Sequence, residues 1–122
     1  METGFPTADY HQIMKDDRAL LDWLELLDKM GFVLVRNVPV EEGPVPALQV
    51  RAGFEKMTHY GPGYTVVVRP DPANISHTYH RIFFHTDLTY YDYMPGVGLF
   101  ATKECLNANY CLDCVSSLHC SA

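Results

Sequence analysis

The sequence predicts an α+β fold, because an amphipathic helix leads directly into a buried strand and further strand candidates follow. The apolar residues of this helix recur at helical spacing: Leu20, Trp23, Leu24 and Leu27. Asp16 or Asp17 suits its N-cap, and Gly31 supplies a left-handed stop. Residues 32–35 are an unbroken β-prone run. The chain has 122 residues, so we expect one small domain or part of a larger one.

A second helix and three more strands are expected along the rest of the chain. Pro46 suits the first turn of the helix, which we predict to run to about Thr58. It would bury four apolar residues: Leu48, Val50, Phe54 and Met57. The strand candidates are the short β-prone runs at residues 64–68, 81–84 and 97–102. The first follows the break at Gly61-Pro62-Gly63, the second leads directly into residues 85–87, and the third follows the turn at Pro95-Gly96.

Charge and hydropathy narrow the classes of partner. The net charge of −6 argues against nucleic acid and against an anionic membrane surface, because both require a basic patch. No run approaches the roughly 20 apolar residues of a transmembrane helix, and the N-terminus lacks a secretory signal pattern. We therefore expect a soluble intracellular protein. An acidic surface also suits a site that holds a metal or a quaternary amine.

The composition changes near Glu104. Four cysteines fall after this point and none before it: Cys105, Cys111, Cys114 and Cys120. We therefore predict one region at residues 1–104 and a divergent Cys-rich tail at residues 105–122. The cysteines could gather around Zn(II), although a single Cys-x-x-Cys is a weak signal. The alternative is a divergent end produced by alternative splicing or an imperfect gene model.

The segment His85-Thr86-Asp87 is the sharpest chemical feature. On a strand, residues i and i+2 project from the same face, so the imidazole and the carboxylate would point into one space. Such a pair meets two positions of the 2-His-1-carboxylate triad that binds non-haem Fe(II). A His-x-Asp tripeptide by itself is more often a surface pair than a metal site, so the neighbouring sequence segments decide between the two interpretations.

Several separated segments resemble, in order and spacing, the γ-butyrobetaine dioxygenase and trimethyllysine dioxygenase family, which is related to taurine dioxygenase. They are Leu20-Leu21-Asp22-Trp23-Leu24, Gly31-Phe32-Val33, Tyr60-Gly61 with Tyr64, Asn74, Phe84-His85-Thr86-Asp87 and Pro95-Gly96-Val97. The resemblance implies a mainly β fold for residues 1–104, namely the N-terminal half of a double-stranded β-helix (jelly roll) with flanking helices. It also implies that His85 and Asp87 are iron ligands.

The resemblance further implies the reaction and its substrate. Hydroxylation of γ-butyrobetaine or trimethyllysine would be coupled to decarboxylation of 2-oxoglutarate at Fe(II), with ascorbate as a further candidate cofactor. Four positions match substrate-binding positions of the family: Tyr60, Tyr64, Asn74 and His77. Tyr64 stands where the family has Trp, and His77 stands where it has Tyr. Aromatic faces suit a trimethylammonium group because it has no N–H to donate.

In the family, the second His ligand and the basic anchor for 2-oxoglutarate lie well beyond His-x-Asp. The only downstream histidine is His119, so we expect a truncated form, poorly folded and inactive alone. It would act with another chain, as a homo-oligomer or beside the full-length enzyme. The alternatives are a non-catalytic isoform that binds the full-length enzyme and a small zinc-binding module. The resemblance implies a cytoplasmic protein for the γ-butyrobetaine enzyme and a mitochondrial one for the trimethyllysine enzyme.

Overall fold

The chain divides into two units, one formed by Met1–Glu55 with Pro95–Ala122 and the other by Lys56–Met94. The computed structural model describes residues 4–41, 43–73, 75–78, 80–81 and 83–101, and the backbone alone of residues 115–118. The first unit contains β1 (Thr7–Asp9), α1 (Tyr10–Lys15), α2 (Asp17–Met30), β2 (Phe32–Arg36), α3 (Pro44–Ala52), β3 (Val97–Phe100) and β4 (Val115–Leu118). The second contains a short 3₁₀ helix, Ile75–His77.

The first strand and helix, β1 and α1, were not predicted from the sequence. Asp9 caps α1, because its carboxylate accepts a hydrogen bond from the Gln12 backbone N–H at 3.0 Å. Its other oxygen accepts one from the Asn37 side chain at 2.6 Å. The signal in the sequence is Asp-x-x-Gln, which resembles a capping box. This contact ties the start of α1 to the residue that follows β2.

The predicted helix after Asp16 is confirmed as α2. The Asp16 side chain accepts a hydrogen bond from the Arg18 backbone N–H, and Gly31 ends the helix in the left-handed conformation with φ of 78°. Trp23 and Leu27 are 2% and 3% exposed. Their burial stabilises the unit by about 1.5–3 kcal/mol for each side chain.

The sheet has the order β1-β2-β4-β3. Strands β1 and β2 are parallel, which requires a crossover, and α1 and α2 provide it. Strand β4 pairs antiparallel with both β2 and β3. The predicted strand at residues 32–35 is thus confirmed as β2, and its three central residues, Val33, Leu34 and Val35, are buried. The fourth predicted strand is confirmed as Val97–Phe100, and Thr102 lies outside the described residues.

The second predicted helix is shorter than expected. Helix α3 spans Pro44–Ala52 and ends at Gly53, whereas the prediction ran to about Thr58. Leu48 is 1% exposed, as expected. Val50, Phe54 and Met57 are 65%, 79% and 70% exposed, so their predicted burial was wrong. Gly53 ends the helix before Phe54 and Met57 can turn towards the core.

One hydrophobic core lies between the helices and the sheet of the first unit. It consists of Tyr10, Ile13, Trp23, Leu27, Val33, Val35 and Leu48. Arg51 supports this core from α3, because its Nε donates to the Ile13 carbonyl at 3.1 Å and its Nη2 reaches the Asp17 carboxylate at 2.5 Å. Among the described residues, no helix is long and apolar enough to cross a membrane.

The two strands predicted in the second unit are absent from its described residues. Residues 64–68 have no strand pairing, and Val66, Val67 and Val68 are between 39% and 49% exposed. Residues 81, 83 and 84 are likewise unpaired, and residue 82 is not described. A β-prone run forms a strand only where a neighbouring strand pairs with its backbone, and the described residues of this unit supply no such strand for either run.

The α+β class is therefore confirmed by helices and a small mixed sheet. Helices exceed strands in the described residues, so the mainly β character that we expected is not observed there. The double-stranded β-helix and the division at residue 104 stay predictions.

Candidate metal and cation site

His85 and Asp87, the predicted metal ligands, lie side by side in the second unit. His85 Nε2 is 3.2 Å from Asp87 Oδ1, and the two side chains are 55% and 45% exposed. Their convergence has a different cause from the one predicted. The segment is not a strand, and Asp87 instead begins a turn over residues 87–90.

The orientation of the imidazole is set by its other nitrogen. His85 Nδ1 lies 2.8 Å from the Phe83 carbonyl oxygen, so Nδ1–H donates there and the neutral ring carries its lone pair on Nε2. Metal-binding histidines commonly donate their second N–H to a carbonyl or carboxylate in this way. The nitrogen that faces Asp87 is thus the one available to a metal. With both nitrogens protonated, the same geometry is an exposed ion pair.

The separation of the two atoms fits a shared metal ion. Ligand atoms about 2.1 Å from a first-row metal and about 90° apart lie roughly 3.0 Å from each other. The observed 3.2 Å corresponds to an angle of roughly 100° at the same bond lengths. A neutral imidazole nitrogen and a carboxylate oxygen are also the donor types of the facial triad that binds Fe(II). Both the geometry and the chemistry of the pair therefore fit iron.

The residue after this pair has a strained backbone. Leu88 has φ of 54°, a left-handed conformation that costs about 1–2 kcal/mol for a residue with a Cβ. The turn is closed by the Tyr91 backbone N–H, which donates to the Leu88 carbonyl at 3.1 Å. Strain of this kind occurs often at functional sites. Here it reverses the chain directly behind Asp87.

In the part of the chain that the structure describes, no three His, Cys, Asp or Glu side chains come together as a metal site. His119 and the four cysteines of the tail lie outside the described residues. The zinc site that the tail could form stays a prediction.

Tyr60 and Tyr64, two of the predicted substrate-binding residues, come together in the second unit. Their ring centroids are 5.0 Å apart, and the rings are 45% and 56% exposed. A tight turn presents them: the Thr58 and Gly61 backbones exchange two hydrogen bonds of 3.1 and 2.9 Å. Gly61 has φ of 90°, which a residue with a side chain rarely adopts.

His59 joins this pair to Tyr90 and Tyr91, which follow the metal-ligand segment. Its ring centroid is 3.8 Å from that of Tyr60, 5.8 Å from Tyr90 and 6.0 Å from Tyr91. The His59 backbone N–H donates to the Tyr91 hydroxyl at 2.7 Å. Its Nδ1 is 2.9 Å from that hydroxyl, and its Nε2 is 3.4 Å from the Tyr90 hydroxyl. We call His59, Tyr60, Tyr64, Tyr90 and Tyr91 the aromatic cluster.

Tyr90 connects the aromatic cluster to the metal-ligand pair electrostatically. Although 69% of Tyr90 is exposed, the pKa of its hydroxyl is raised, first because its surroundings exclude part of the water. The nearby Tyr60 hydroxyl raises the pKa further, and Tyr91 and the negative charge of Asp87 add to the effect. Tyr90 therefore stays neutral at physiological pH and remains a hydrogen-bond donor.

A cation already lies on the aromatic rings of this unit. Lys56 Nζ is 4.1 Å from the Tyr93 ring centroid and 6.0 Å from that of Tyr91. These distances are typical of cation–π contacts. The Tyr93 and Tyr91 rings are thus near a positively charged group.

His77 and Asn74, the other predicted substrate-binding residues, are not joined to the aromatic cluster. His77 Nδ1 lies 2.8 Å from the Val67 carbonyl, and the His77 carbonyl accepts from the Arg69 backbone N–H at 3.0 Å. The ring of His77 makes no contact with Tyr60 or Tyr64 in the described residues. Asn74 lies outside them.

Sequence reasoning missed the roles of His59 and Lys56. A signal for His59 was present, since it is a ring directly beside Tyr60. No local pattern could have shown Lys56, because its contact with Tyr93 joins residues distant in sequence.

Comparisons with known proteins agree with the resemblance seen in the sequence. The family model described as taurine catabolism dioxygenase TauD, TfdA family matches residues 2–105. The gamma-butyrobetaine dioxygenase of Homo sapiens is 33% identical over 98 residues, covering 80% of this chain and 25% of that protein. The gamma-butyrobetaine dioxygenase of Pseudomonas sp. (strain AK-1) is 29% identical over 94 residues, covering 77% of this chain and 24% of that protein.

A trimethyllysine dioxygenase is also similar. The protein from Meyerozyma guilliermondii is 26% identical over 132 residues, covering 98% of this chain and 33% of its own length. The chain thus spans about a quarter to a third of the length of these relatives.

Proposed function

Because the chain belongs to the taurine catabolism dioxygenase TauD, TfdA family, we propose that it supplies part of an Fe(II)- and 2-oxoglutarate-dependent dioxygenase site. His85 and Asp87 would be two of the protein ligands to the metal. The substrate would be a small trimethylammonium compound such as γ-butyrobetaine or trimethyllysine, since the similar proteins are named for these compounds.

The observation that supports this proposal most is the pairing of His85 with Asp87. Their donor atoms are 3.2 Å apart, and the Phe83 carbonyl holds the imidazole in the tautomer that a metal requires. Bound Fe(II) would supply open coordination positions for the keto acid and oxygen.

The residues of this chain would bind the metal ion and orient its open side. His85 and Asp87 would hold the metal on one side and leave the opposite side open. The third protein ligand of a facial triad would come from outside the described residues, either from this polypeptide or from another chain. The expected homo- or hetero-oligomer stays a prediction, as does inactivity of this chain alone.

The aromatic cluster would receive the trimethylammonium group. Tyr60 and Tyr64 present faces that are about half exposed, and Lys56 lies over the Tyr93 ring of the same unit, which supports recognition of a cation by aromatic faces here. A quaternary ammonium has no N–H, so contact with aromatic faces is its natural form of recognition. Asn74 and His77 stay predicted substrate residues from the family resemblance.

An anaerobic metal titration tests the metal proposal. Fe(II) would be added to the purified 122-residue chain with 2-oxoglutarate, and the weak visible band of the iron-bound keto acid would be followed. Metal binding alone would be measured with Co(II). We expect His85→Ala or Asp87→Ala to weaken Co(II) binding by roughly tenfold or more, because loss of an orienting partner alone commonly costs that much.

His80→Ala and Asp92→Ala are matched controls, since both side chains are exposed and neither belongs to the pair. The controls should bind Co(II) like the unaltered chain. Equal Co(II) affinity in all five proteins would contradict the assignment of His85 and Asp87. Co(II) binding without the keto-acid band would instead support the ligands and contradict a complete dioxygenase site in this chain.

The remaining functional expectations stay predictions. Ascorbate as a further cofactor, a cytoplasmic or mitochondrial location and the jelly-roll fold all follow from the family resemblance. A β-helix would need strand partners for residues 64–68 and 81–84 from beyond the described residues.

A further inference from the structure

We propose that His59 is a specificity-determining residue of the cation site: its neutral imidazole orders the aromatic cluster, and its protonation weakens binding of a trimethylammonium ligand. The inference rests on the proposed function, since it takes the aromatic cluster as the place where the ammonium group binds.

The central position of His59 in the cluster is the first support. Its ring contacts Tyr60 on one side and both Tyr90 and Tyr91 on the other. These tyrosines come from two segments about 30 residues apart in sequence. Removal of the imidazole would therefore loosen the arrangement of both segments.

Its hydrogen bonds are the second support. One nitrogen faces the Tyr91 hydroxyl at 2.9 Å and the other faces the Tyr90 hydroxyl at 3.4 Å. A hydroxyl can either donate or accept. The neutral ring therefore donates to one tyrosine and accepts from the other, whereas the protonated ring donates to both. The contacts survive protonation, and what changes is the charge at the centre of the cluster.

That charge acts against a cationic ligand. An imidazolium 3.8 Å from the Tyr60 ring centroid would occupy a face of that ring as a cation itself and would repel a trimethylammonium group. Two unit charges about 6 Å apart, at an effective dielectric constant between a protein surface and water, weaken binding roughly five- to tenfold.

The other charged and titratable groups around His59 do not reproduce this effect. Tyr60, Tyr90 and Tyr91 are phenols, which stay neutral below pH 8, and the pKa of Tyr90 is raised by its surroundings. Lys56 lies near Tyr91 and Asp87 lies near Tyr90, and ammonium and carboxylate side chains ordinarily change charge outside the interval from pH 5.5 to 8. Only an imidazole changes charge in that interval.

The test uses tetramethylammonium chloride as the probe and the full chain without metal. The dissociation constant would be measured by NMR at pH 5.5 and pH 8, at low ionic strength so that screening stays small. We expect binding roughly five- to tenfold tighter at pH 8. His59→Phe and His59→Gln should reduce this ratio to below about twofold, whereas the matched controls His80→Phe and His80→Gln should preserve it.

A second measurement needs no variant that could fail to fold. Because linkage is reciprocal, saturating tetramethylammonium must move the midpoint of the His59 ring titration to lower pH by roughly 0.7–1 unit. A midpoint that does not move, or a pH ratio that persists in both His59 variants, overturns the role of His59 and leaves the proposed function intact. Absence of tetramethylammonium binding at pH 8 overturns both the substrate class and this inference.

Discussion

Replacement of Leu48 by Ala is expected to destabilise the first unit strongly, whereas Val50→Ala on the same helix is not. Leu48 is 1% exposed and belongs to the core, and Val50 is 65% exposed. A buried Leu→Ala change costs about 2–5 kcal/mol through lost burial and the cavity left behind. At Val50 little apolar surface is lost, and Ala favours a helix over Val by up to about 0.5 kcal/mol.

The two effects can be followed with one probe. Trp23 is the single tryptophan of the chain, it is 2% exposed, and it lies in the same core as Leu48. Urea unfolding at pH 7 would be monitored by its fluorescence. With a slope of about 1–2 kcal/mol per molar urea, Leu48→Ala should lower the midpoint by at least roughly 1 M, and Val50→Ala should move it by less than about 0.5 M.

Equal losses in the two variants would refute the structure of α3. Such a result would mean that the helix buries both residues, as the sequence alone had predicted, and that it is rotated from its described orientation. The absence of any cooperative transition in the unaltered chain would instead support the expectation that this chain folds poorly alone.

Three further outcomes are expected from urea unfolding. The Asn37 side chain, and then the Gln12 N–H, lower the pKa of Asp9 from its ordinary value of 3.8. Ionised Asp9 therefore stabilises the fold above pH 3.8, and this contribution disappears as the pH falls below that value. Asp9→Asn should flatten this dependence of the free energy of unfolding on acid pH. Gly31→Ala should cost about 1 kcal/mol, because φ is 78° there and Ala is strained in that conformation. Arg51→Lys should cost about 0.5–1.5 kcal/mol, because lysine cannot reproduce the bonds of the guanidinium to the Ile13 carbonyl and Asp17, and full stability in this variant would contradict that contribution.

Local signals account for the parts of the fold that were predicted correctly. Helix α2 carries its own cap, apolar stripe and glycine stop, so its bounds follow from Asp16 to Gly31 alone. Strand β2 follows without a loop and is buried on both sides. The runs at residues 64–68 and 81–84 differ, because a strand needs a partner and no partner can be read from the run itself.

The sequence predicted which residues form the candidate site better than it predicted how they come together. His85 and Asp87 were expected to converge because strand residues alternate, and they converge instead through a turn and a bond to the Phe83 carbonyl. The pairing of Tyr60 with Tyr64 follows from their short separation across Gly61. The contacts of His59 depend on the approach of a distant segment, which only the tertiary structure shows.

The division of the chain has a thermodynamic consequence for any ligand of the second unit. Of the described residues in Lys56–Met94 none is buried, and both ends of this excursion join elements of the first unit. Folding of the first unit therefore includes the entropic cost of fixing both ends of residues 56–94. This segment has few buried side chains of its own that would stabilise a single conformation. A ligand that binds only the ordered form stabilises that form, and its apparent dissociation constant is the intrinsic one divided by the ordered fraction. The measured affinity at this site would therefore depend on the ordered fraction of residues 56–94 as well as on how well the side chains fit the ligand.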